Sequence, residues 1–338
     1  MPAFAALHAD RLNRMGDAVT ITVLIRDADA PWYAERLAEL CPGYVFLAAT
    51  DDETAARHVE KAQIIIGLAP FLDRQLIAAA SRLEWVQALT AGVDNLLAMP
   101  ELDADVAISN CSGFHGPQMS ELAFLMMLSL NRNATAMLRN QDQKKWQRWP
   151  QRLLLEKTVT IVGVGAIAEE LAVRCQAFGM TVVGVSDGRD TAPGFTRIVK
   201  RNALERVASD CDFLIVLTPY DASTHHIIDA KVFAAMPAHA HLINISRGGC
   251  VDEAALLEAL KSGQIAGAGL DVFAQEPLDP DNPIWSAPNV LITPHIGGMS
   301  DIYKQQALPL VAENLNAFAA QGLTAVNGLI KRNGKNPT

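Results

Sequence analysis

Short runs of apolar and β-branched residues alternate with longer stretches of helical spacing along most of the chain. In the first third, an apolar run at 20–26 precedes a helical pattern over 32–40, and another run follows at 44–48. Strands that alternate with helices at this spacing predict parallel βαβ units with helices on both faces of the sheet. The other elements predicted here are a helix over 55–61 and strands over 64–68, 84–89 and 106–110.

The alternation changes after Asn110, where residues 119–140 form one long helical pattern. We interpret this helix as a bridge between two domains, because it is too long for a crossover within the first sheet. A polar segment over 141–151 follows it. A second series of strands is then predicted over 158–162, 181–186, 213–218, 241–246, 267–272 and 290–293. A last helix over 302–320 should kink at Pro309, since proline lacks the amide that a helix interior needs.

The order of these elements predicts an α/β protein with two doubly wound parallel sheets. If the last helix returns to the first sheet, residues 1–112 and 299–338 form one domain, and residues 113–298 form a second domain inserted into it. Residues 1–14 precede Met15 and the first strand, and we interpret them as an extension from an alternative start site.

Composition narrows the class of protein. Half of the 338 residues are hydrophobic, and 28 Lys and Arg against 37 Asp and Glu give a net charge of −9. The apolar share excludes a disordered chain, and an acidic balance without a basic block argues against nucleic-acid binding. The apolar run at 122–130 is too short to cross a membrane. Five scattered cysteines favour free thiols over a disulfide framework or metal site, so we expect a soluble cytoplasmic protein.

The strand over 158–162 leads into a GxGxxA turn, GVGAIA, that opens a helix. Gly163 allows the tight turn, and Gly165 lets the backbone approach a pyrophosphate. Ala168 is small enough for the helix to pack closely on the strand, and the amides at the helix start, around Ala166 and Ile167, suit an anion. With a strand before it and a helix after it, this turn predicts a dinucleotide-binding site.

The choice between NAD and NADP depends on the end of the next strand. Asp187 lies 22 residues after Gly165, where a carboxylate would hold the hydroxyl groups of the adenosine ribose. Ser186 occupies the strand-end position at which an acid favours NAD. Two arrangements stay open: Asp187 takes the role of that acid, or it faces solvent while Arg189 and Arg197 bind the 2′-phosphate of NADP. The residues favour NAD slightly.

Three downstream segments place polar residues just after predicted strands, at the sheet edge where ligands bind in a doubly wound fold. Arg247 lies in HLINISRGG, Asp271 and Glu276 lie in GAGLDVFAQEPL, and His295 lies in VLITPHIGG. Taken singly, such a histidine is commonly structural, and such an arginine or glutamate commonly forms a surface ion pair. Together they are candidates for the residues of an active site.

The succession of GxGxxA, SRGG, GLDVFxxEP and TPHIGG resembles that of the NAD-dependent D-isomer-specific 2-hydroxyacid dehydrogenases. The resemblance runs from residue 90 to residue 298, with 29 residues from Arg247 to Glu276 and 19 from Glu276 to His295. It implies two Rossmann-like lobes: a flavodoxin-like substrate domain and an inserted NAD(P)-binding domain. The segment NCSGFHGPQMSE is similar to the glyoxylate/hydroxypyruvate-reductase branch.

In that family an arginine, a glutamate and a histidine form the active site, which implies these roles for Arg247, Glu276 and His295. The chemistry of the side chains agrees. His295 would exchange a proton with the C2 oxygen of the substrate while a hydride passes between C2 and the nicotinamide. Glu276 would pair with the other ring nitrogen, and Arg247 would bind the carboxylate with its planar charged fork. The resemblance thus implies an oxidoreductase for a small 2-oxo acid and its D-2-hydroxy acid, acting in the cleft between the domains.

The resemblance also implies supporting residues. The backbone amides of Ala91 and Gly92 would hold the substrate carboxylate. His115 would touch the substrate or have no ligand role, and Asp271 would act on the cofactor side or have a structural role. The other residues implied at the cofactor are Met119 near the nicotinamide, Thr218 and Pro219 on the adenine and ribose side, and Ser246.

Further expectations concern partners and alternatives. The apolar face of the long helix predicts a symmetric homodimer, and its residues are Leu122, Phe124, Leu125, Met126 and Leu128. The segment 143–148 would lie over a neighbouring subunit or the cleft.

Two other classes of function stay open on the same fold: a nicotinamide-binding sensor or corepressor, and a dehydrogenase of formate or phosphite. The residues do not identify the particular 2-oxo acid.

Overall fold

The computed structural model describes residues 20–332, so the predicted extension over 1–14 and Met15 lie outside the described residues. The strands are β1 (Ile21–Arg26), β2 (Tyr44–Ala49), β3 (Ile64–Gly67), β4 (Trp85–Ala88), β5 (Ala107–Ser109), β6 (Thr158–Val162), β7 (Thr181–Val185), β8 (Arg197–Val199), β9 (Phe213–Val216), β10 (His241–Asn244), β11 (Gly267–Leu270) and β12 (Val290–Ile292). The α-helices are α1 (Ala30–Leu40), α2 (Asp52–His58), α3 (Arg74–Ala79), α4 (Asp94–Leu97), α5 (Gly116–Arg132), α6 (Ala134–Asp142), α7 (Ala166–Ala177), α8 (Leu204–Ala208), α9 (Ala230–Ala235), α10 (Glu253–Ser262) and α11 (Tyr303–Gln321). Short 3-10 helices lie at Val59–Lys61, Ala69–Phe71, Arg201–Ala203, Gly248–Cys250, Pro283–Ser286 and Leu323–Ala325.

The described chain divides into two compact units: unit 1 contains residues 20–114 and 301–332, and unit 2 contains residues 115–300. In unit 1 the strands are all parallel, in the order β2-β1-β3-β4-β5. A parallel sheet is covered on both faces, so its strands are apolar on both sides. Strand β3 illustrates this, because Ile64, Ile65 and Ile66 are all fully buried.

Helix α11 completes the core of unit 1 although it lies far along the chain. The rings of Trp85 on β4 and Phe318 on α11 have centroids 5.3 Å apart. The Tyr44 hydroxyl donates a hydrogen bond to the carbonyl of Leu315 at 2.7 Å. Helix α11 continues through Pro309. Unit 1 is therefore built from two separate stretches of sequence.

The sheet of unit 2 is also parallel, in the order β12-β11-β10-β9-β6-β7-β8. The chain starts at β6, builds outward through β7 and β8, and then returns to the other side of β6 with β9. Ligands bind at the carboxyl ends of the strands beside such a reversal. The predicted α/β fold with doubly wound parallel sheets is confirmed.

The long helix predicted over 119–140 is two helices, α5 and α6, so that prediction is wrong. Asn133 separates them in a left-handed conformation, with φ 55° and ψ 52°. Asparagine tolerates this conformation better than most residues, and its side chain accepts a hydrogen bond from the amide of Ala136 at 3.4 Å. Asn133 thus ends one helix and caps the next.

The apolar face of α5 is not the surface that we predicted for a dimer contact. Leu122, Phe124 and Met126 are buried within the core of unit 2 of the same chain. Leu125 remains exposed. Helical spacing identifies an apolar face but not what covers it, and here the sheet of unit 2 covers it. Over residues 20–332, we find no helix with the length and apolar character that a membrane span requires.

Candidate active site

The GxGxxA turn lies at the carboxyl end of β6, beside the reversal in strand order. Gly163 has a φ of 99°, and a Cβ atom there would lie 2.6 Å from the backbone nitrogen of Thr218. Gly165 has extended backbone at the start of α7, and none of the described atoms lies within 4 Å of where its Cβ would be. Gly163 is thus required by the fold, whereas Gly165 leaves open space in front of the first amides of α7, those of Ala166 and Ile167. This arrangement fits the pyrophosphate of a dinucleotide.

At the end of β7 the predicted ribose residues already have partners within unit 2. Oδ1 of Asp187 accepts a hydrogen bond from the Arg201 amide at 2.9 Å, and Oδ2 lies 3.4 Å from the Arg201 guanidinium. Arg189 forms an ion pair with Glu169. The hydroxyl of Ser186 accepts a hydrogen bond from the Gly188 amide at 3.3 Å. Sequence reasoning missed Arg201, whose only signal was its position just after a short strand.

Glu276 and His295, which the motifs proposed as partners, meet in the structure. Nδ1 of His295 lies 2.7 Å from Oε2 of Glu276. The hydrogen bond to Glu276 is the main cause that raises the pKa of His295 above its usual value, and burial partly opposes it. Burial also opposes the ionisation of Glu276, but hydrogen bonds from His295 and the Phe273 amide outweigh it and lower the pKa of Glu276. The pair is therefore poised as imidazolium and carboxylate.

Arg247 belongs to the same electrostatic neighbourhood. Its positive charge contributes to the lowered pKa of Glu276 and opposes protonation of His295. Asn244 holds the backbone of this loop: its side-chain amide donates to the Arg247 carbonyl at 2.9 Å, and its side-chain oxygen accepts from the Ser246 amide at 3.2 Å. Sequence reasoning missed Asn244. A polar residue directly after the apolar pair Leu242 and Ile243 was the available signal.

The loops that carry Arg247 and Glu276 touch at a glycine. A Cβ atom on Gly248 would lie 1.8 Å from the backbone carbon of Phe273, three residues before Glu276. Only a residue without a side chain permits this approach. The SRGG motif therefore brings two candidate catalytic loops together.

Asp271 holds the loop that carries His295. This carboxylate is only 1% exposed. It accepts hydrogen bonds from the Thr293 hydroxyl at 2.5 Å and from the amides of Ile296 at 3.0 Å and Gly297 at 2.9 Å. These contacts give Asp271 a positioning role, and its action on the cofactor stays a prediction.

The other predicted site residues of unit 2 make the following contacts. The Ser246 hydroxyl donates to the carbonyl of buried Thr218, and the Thr224 hydroxyl donates to the carbonyl of Pro219 at 2.8 Å. Met119 is buried near Gly297, where its sulfur lies 3.1 Å from the position of a Cβ. His115 is buried, and burial lowers its pKa to about 4, so it is neutral near pH 7.

In unit 1, the predicted carboxylate-binding loop follows β4. Asn110 donates a side-chain hydrogen bond to the carbonyl of Ala91 at 2.7 Å, and the Thr90 hydroxyl donates to the carbonyl of Gly92 at 2.7 Å. The two carbonyls are thus engaged, which leaves the backbone amides as the loop's groups for an anion. Among residues 20–332, no cluster of three or more His, Cys, Asp or Glu side chains suits a metal ion.

Comparisons with known proteins agree with this geometry. Residues 124–297 match the family described as "D-isomer specific 2-hydroxyacid dehydrogenase, NAD binding domain". A glyoxylate reductase from Korarchaeum cryptofilum is 32% identical over 253 residues, covering 73% of this chain and 76% of that protein. A D-isomer specific 2-hydroxyacid dehydrogenase family protein from Aeromonas salmonicida has a TM-score of 0.86 at 32% identity, covering 93% of this chain and 100% of that one. An NADPH-dependent glyoxylate/hydroxypyruvate reductase from Sinorhizobium meliloti, solved with NADP and sulfate, has a TM-score of 0.78 at 26% identity, covering 92% and 98%.

A glycine turn at the switch point of a parallel sheet, with a histidine–carboxylate pair at the carboxyl edge of the same sheet, is the arrangement of a nicotinamide-dependent dehydrogenase. The chain belongs to the D-isomer-specific 2-hydroxyacid dehydrogenase family. It is an NAD(P)-dependent oxidoreductase that transfers a hydride between the nicotinamide and a small 2-oxo or D-2-hydroxy acid. Family membership supports this function over the sensor and the formate or phosphite dehydrogenase.

Proposed function

We propose that the protein reduces glyoxylate and hydroxypyruvate with NADPH. The observation that carries this proposal is the 2.7 Å pair of His295 and Glu276, next to the loop of Arg247 at the carboxyl edge of the unit 2 sheet. The choice of substrate is supported by similarity, because the relative from Korarchaeum cryptofilum is named a glyoxylate reductase and that from Sinorhizobium meliloti a glyoxylate/hydroxypyruvate reductase.

Each side chain has a defined task in the proposed reaction. Arg247 binds the substrate carboxylate through two parallel N–H groups. The nicotinamide ring, when bound, supplies the hydride that C2 receives. His295 donates its Nε2 proton to the C2 oxygen as negative charge develops there, while Glu276 keeps the ring oriented through Nδ1. Ala91 and Gly92 stay proposed as carboxylate-binding residues, and His115 and Met119 as residues near the substrate and the nicotinamide.

Steady-state kinetics with glyoxylate and hydroxypyruvate test this proposal. We expect His295→Ala and Arg247→Ala each to lower kcat/KM by at least about a hundredfold, the low end for loss of a proton donor or an essential charge. Arg206→Ala, which removes an exposed arginine on α8, should leave kcat/KM unchanged. Near-normal turnover in folded His295→Ala would contradict the catalytic assignment. If the wild-type protein bound NADPH but reduced neither acid, the proposed substrates would be wrong.

We propose NADPH as the preferred cofactor, although the residues alone favour NAD slightly. Ser186 places a hydroxyl where an acid would repel the 2′-phosphate, and the carboxylate of Asp187 is compensated by Arg201. The Sinorhizobium meliloti relative was solved with NADP. A Ser186→Asp variant should raise the ratio of kcat/KM with NADH to kcat/KM with NADPH at least about tenfold, because the new carboxylate would repel the 2′-phosphate of NADPH. Ser81→Asp adds the same charge in unit 1 and is the control. A wild-type enzyme that prefers NADH would refute the assignment of NADPH as the preferred cofactor.

We also propose a homodimer, on a surface that keeps only Leu125 from the helix face first predicted. Exposed apolar side chains lie on and just after α5, where a second copy would cover them, and Trp146 is 87% exposed. Leu125, Met137 and Leu138 are further exposed apolar residues of this region. Light scattering should give twice the chain mass, and Trp146→Ser should weaken the dimer. A monomeric mass for the wild-type protein at micromolar concentration would refute this.

A further inference from the structure

A cavity of about 450 Å³ lies at the amino-terminal edge of the unit 2 sheet, where β6, β9 and β10 begin. The proposed active site lies at the carboxyl ends of the same strands, so the two places are distinct. The polar side chains that line the cavity are those of Asn131, Arg152, Lys157, Asp212, His239 and His241. None of them has a role in the proposed reaction.

Two nitrogen atoms in this lining lack a partner. Nδ2 of Asn131 and Nδ1 of His241 are buried, and neither has a hydrogen-bonding partner among residues 20–332. Both residues are more than nine-tenths buried. Buried polar groups in folded proteins are almost always paired, so two residues of one lining that each carry an unpaired nitrogen point to an acceptor that binds there. Burial lowers the pKa of His241 to about 4, so its ring is neutral near pH 7 and can carry the hydrogen on Nδ1.

The charges around the cavity favour a negative ligand. The carboxylate of Asp212 is already engaged by Lys157 at 3.0 Å, by Nε2 of His239 at 3.2 Å and by the amide of Thr158 at 2.8 Å. Arg152 is exposed, and its guanidinium forms no ion pair within the described part of the chain. The carboxylate of Asp212 balances the charge of Lys157 but not that of Arg152. The lining therefore has an excess of positive charge and of hydrogen-bond donors.

We propose that this cavity binds a small anionic molecule through a phosphate or carboxylate group, with Arg152, Asn131 and His241 as the donors. Guanidinium forms strong charge-assisted hydrogen bonds with either group. The two buried nitrogens each donate to a further oxygen of the same phosphate or carboxylate group, so that each gains a hydrogen-bond acceptor. The cavity volume is in the range of small-molecule sites.

Calorimetric titration of the NADPH-loaded enzyme tests the proposal, with inorganic phosphate in one series and malonate in the other at constant ionic strength. We expect saturable binding of at least one anion, and the tighter one identifies the ligand group. Arg152→Gln and His241→Phe should each weaken that binding at least about tenfold, as loss of a charge-assisted or buried hydrogen bond does. Arg206→Gln removes the same charge elsewhere in unit 2 and should bind like the wild type.

Arg247 also attracts anions, so the position of binding needs its own measurement. In crystals soaked with selenate, we expect an anomalous peak within hydrogen-bond distance of Nδ1 of His241 and of the Arg152 guanidinium. The proposal is wrong if the wild type shows no saturable binding, if Arg152→Gln binds both anions as tightly as the wild type, or if selenate lies only beside Arg247. Arg152 is exposed, so its variant decides the question even if His241→Phe fails to fold. This outcome does not depend on which 2-oxo acid the enzyme reduces.

Discussion

His295 and Asp271 are joined through the backbone: the amide of His295 donates to the carbonyl of Asp271 at 2.8 Å. His295 has a φ of 54°, a left-handed conformation that is unfavourable for a residue with a Cβ atom. The buried Asp271 carboxylate, which binds residues on both sides of His295, compensates for this strain. The loop of the imidazole proposed as proton donor is thus held in place by a carboxylate that directly follows the neighbouring strand β11.

The pH dependence of reduction should depend on Glu276. Its hydrogen bond is the main cause that raises the pKa of His295, so Glu276→Gln should lower that pKa. Reduction needs the protonated imidazole, so activity is present below this pKa and lost as pH rises through it. In the variant this loss of activity should occur at lower pH. At a pH above the pKa of His295 in both proteins, kcat/KM of the variant should be about tenfold smaller for each unit by which that pKa is lowered.

A pH profile of kcat/KM for both proteins checks this prediction. Glu258→Gln, an exposed change on α10, should leave the profile unchanged. A Glu276→Gln profile that coincides with that of the wild type would mean that Glu276 does not raise the pKa of the group that supplies the proton.

Asp271→Asn should destabilise unit 2. Its amide nitrogen would face the Gly297 amide or the Thr293 and Ile296 donors, so at least one buried hydrogen bond is lost. The expected loss is about 1–3 kcal/mol in the free energy of unfolding. Denaturant unfolding measures it, with exposed Asp142→Asn as the control. Equal stability of Asp271→Asn and the wild type would show that this carboxylate does not support the loop.

The two glycines of the GxGxxA turn should respond differently to alanine. Gly163→Ala meets the Thr218 nitrogen at 2.6 Å and requires a φ of 99°, so it should cost more than about 1 kcal/mol of stability. Gly165→Ala has space and extended backbone, so it should fold with unchanged stability. Its methyl group would nevertheless occupy the approach to the pyrophosphate and weaken NADPH binding at least about tenfold.

Thermal unfolding and NADPH titration of both glycine variants separate these effects. Undiminished NADPH affinity in Gly165→Ala would remove this turn from the cofactor site.

Gly248→Ala should separate the loops of Arg247 and Glu276. A Cβ atom 1.8 Å from the Phe273 backbone cannot be accommodated without moving one loop, at a cost of about 1–3 kcal/mol. We expect lower stability together with lower kcat/KM. Gly188→Ala meets none of the described atoms within 4 Å and is the matched control. If Gly248→Ala kept wild-type kinetics, contact between these loops would not matter for the reaction.

Local patterns account for the part of the site that the sequence predicts well. The GxGxxA turn depends on a strand, two glycines and a helix within a few residues, so Gly163 and Gly165 could be assigned directly. Arg247, Glu276 and His295 follow strands whose parallel order sends their carboxyl ends to one edge. Motif order then predicted these three residues as the active site, and the structure brings Glu276 and His295 into contact.

Features that depend on residues distant in sequence could not be predicted in this way. The partner of Asp187 is Arg201, which lies beyond a further strand, and Asn133 interrupts a pattern whose periodicity is helical on both sides. The face of α5 was assigned to a second subunit because spacing alone does not identify the covering surface. The cavity around Asn131 and His241 joins a helix end to a strand start, and no local motif marks that combination.

The division of unit 1 into two stretches has a consequence for biosynthesis. Unit 2 is continuous, so its core can form as soon as residues 115–300 have left the ribosome. The first segment of unit 1 is made earlier, yet Trp85 must wait for Phe318, more than two hundred residues later, before its ring is covered. During that interval an apolar sheet face is without its helix. The first unit to be translated is therefore the last to be completed.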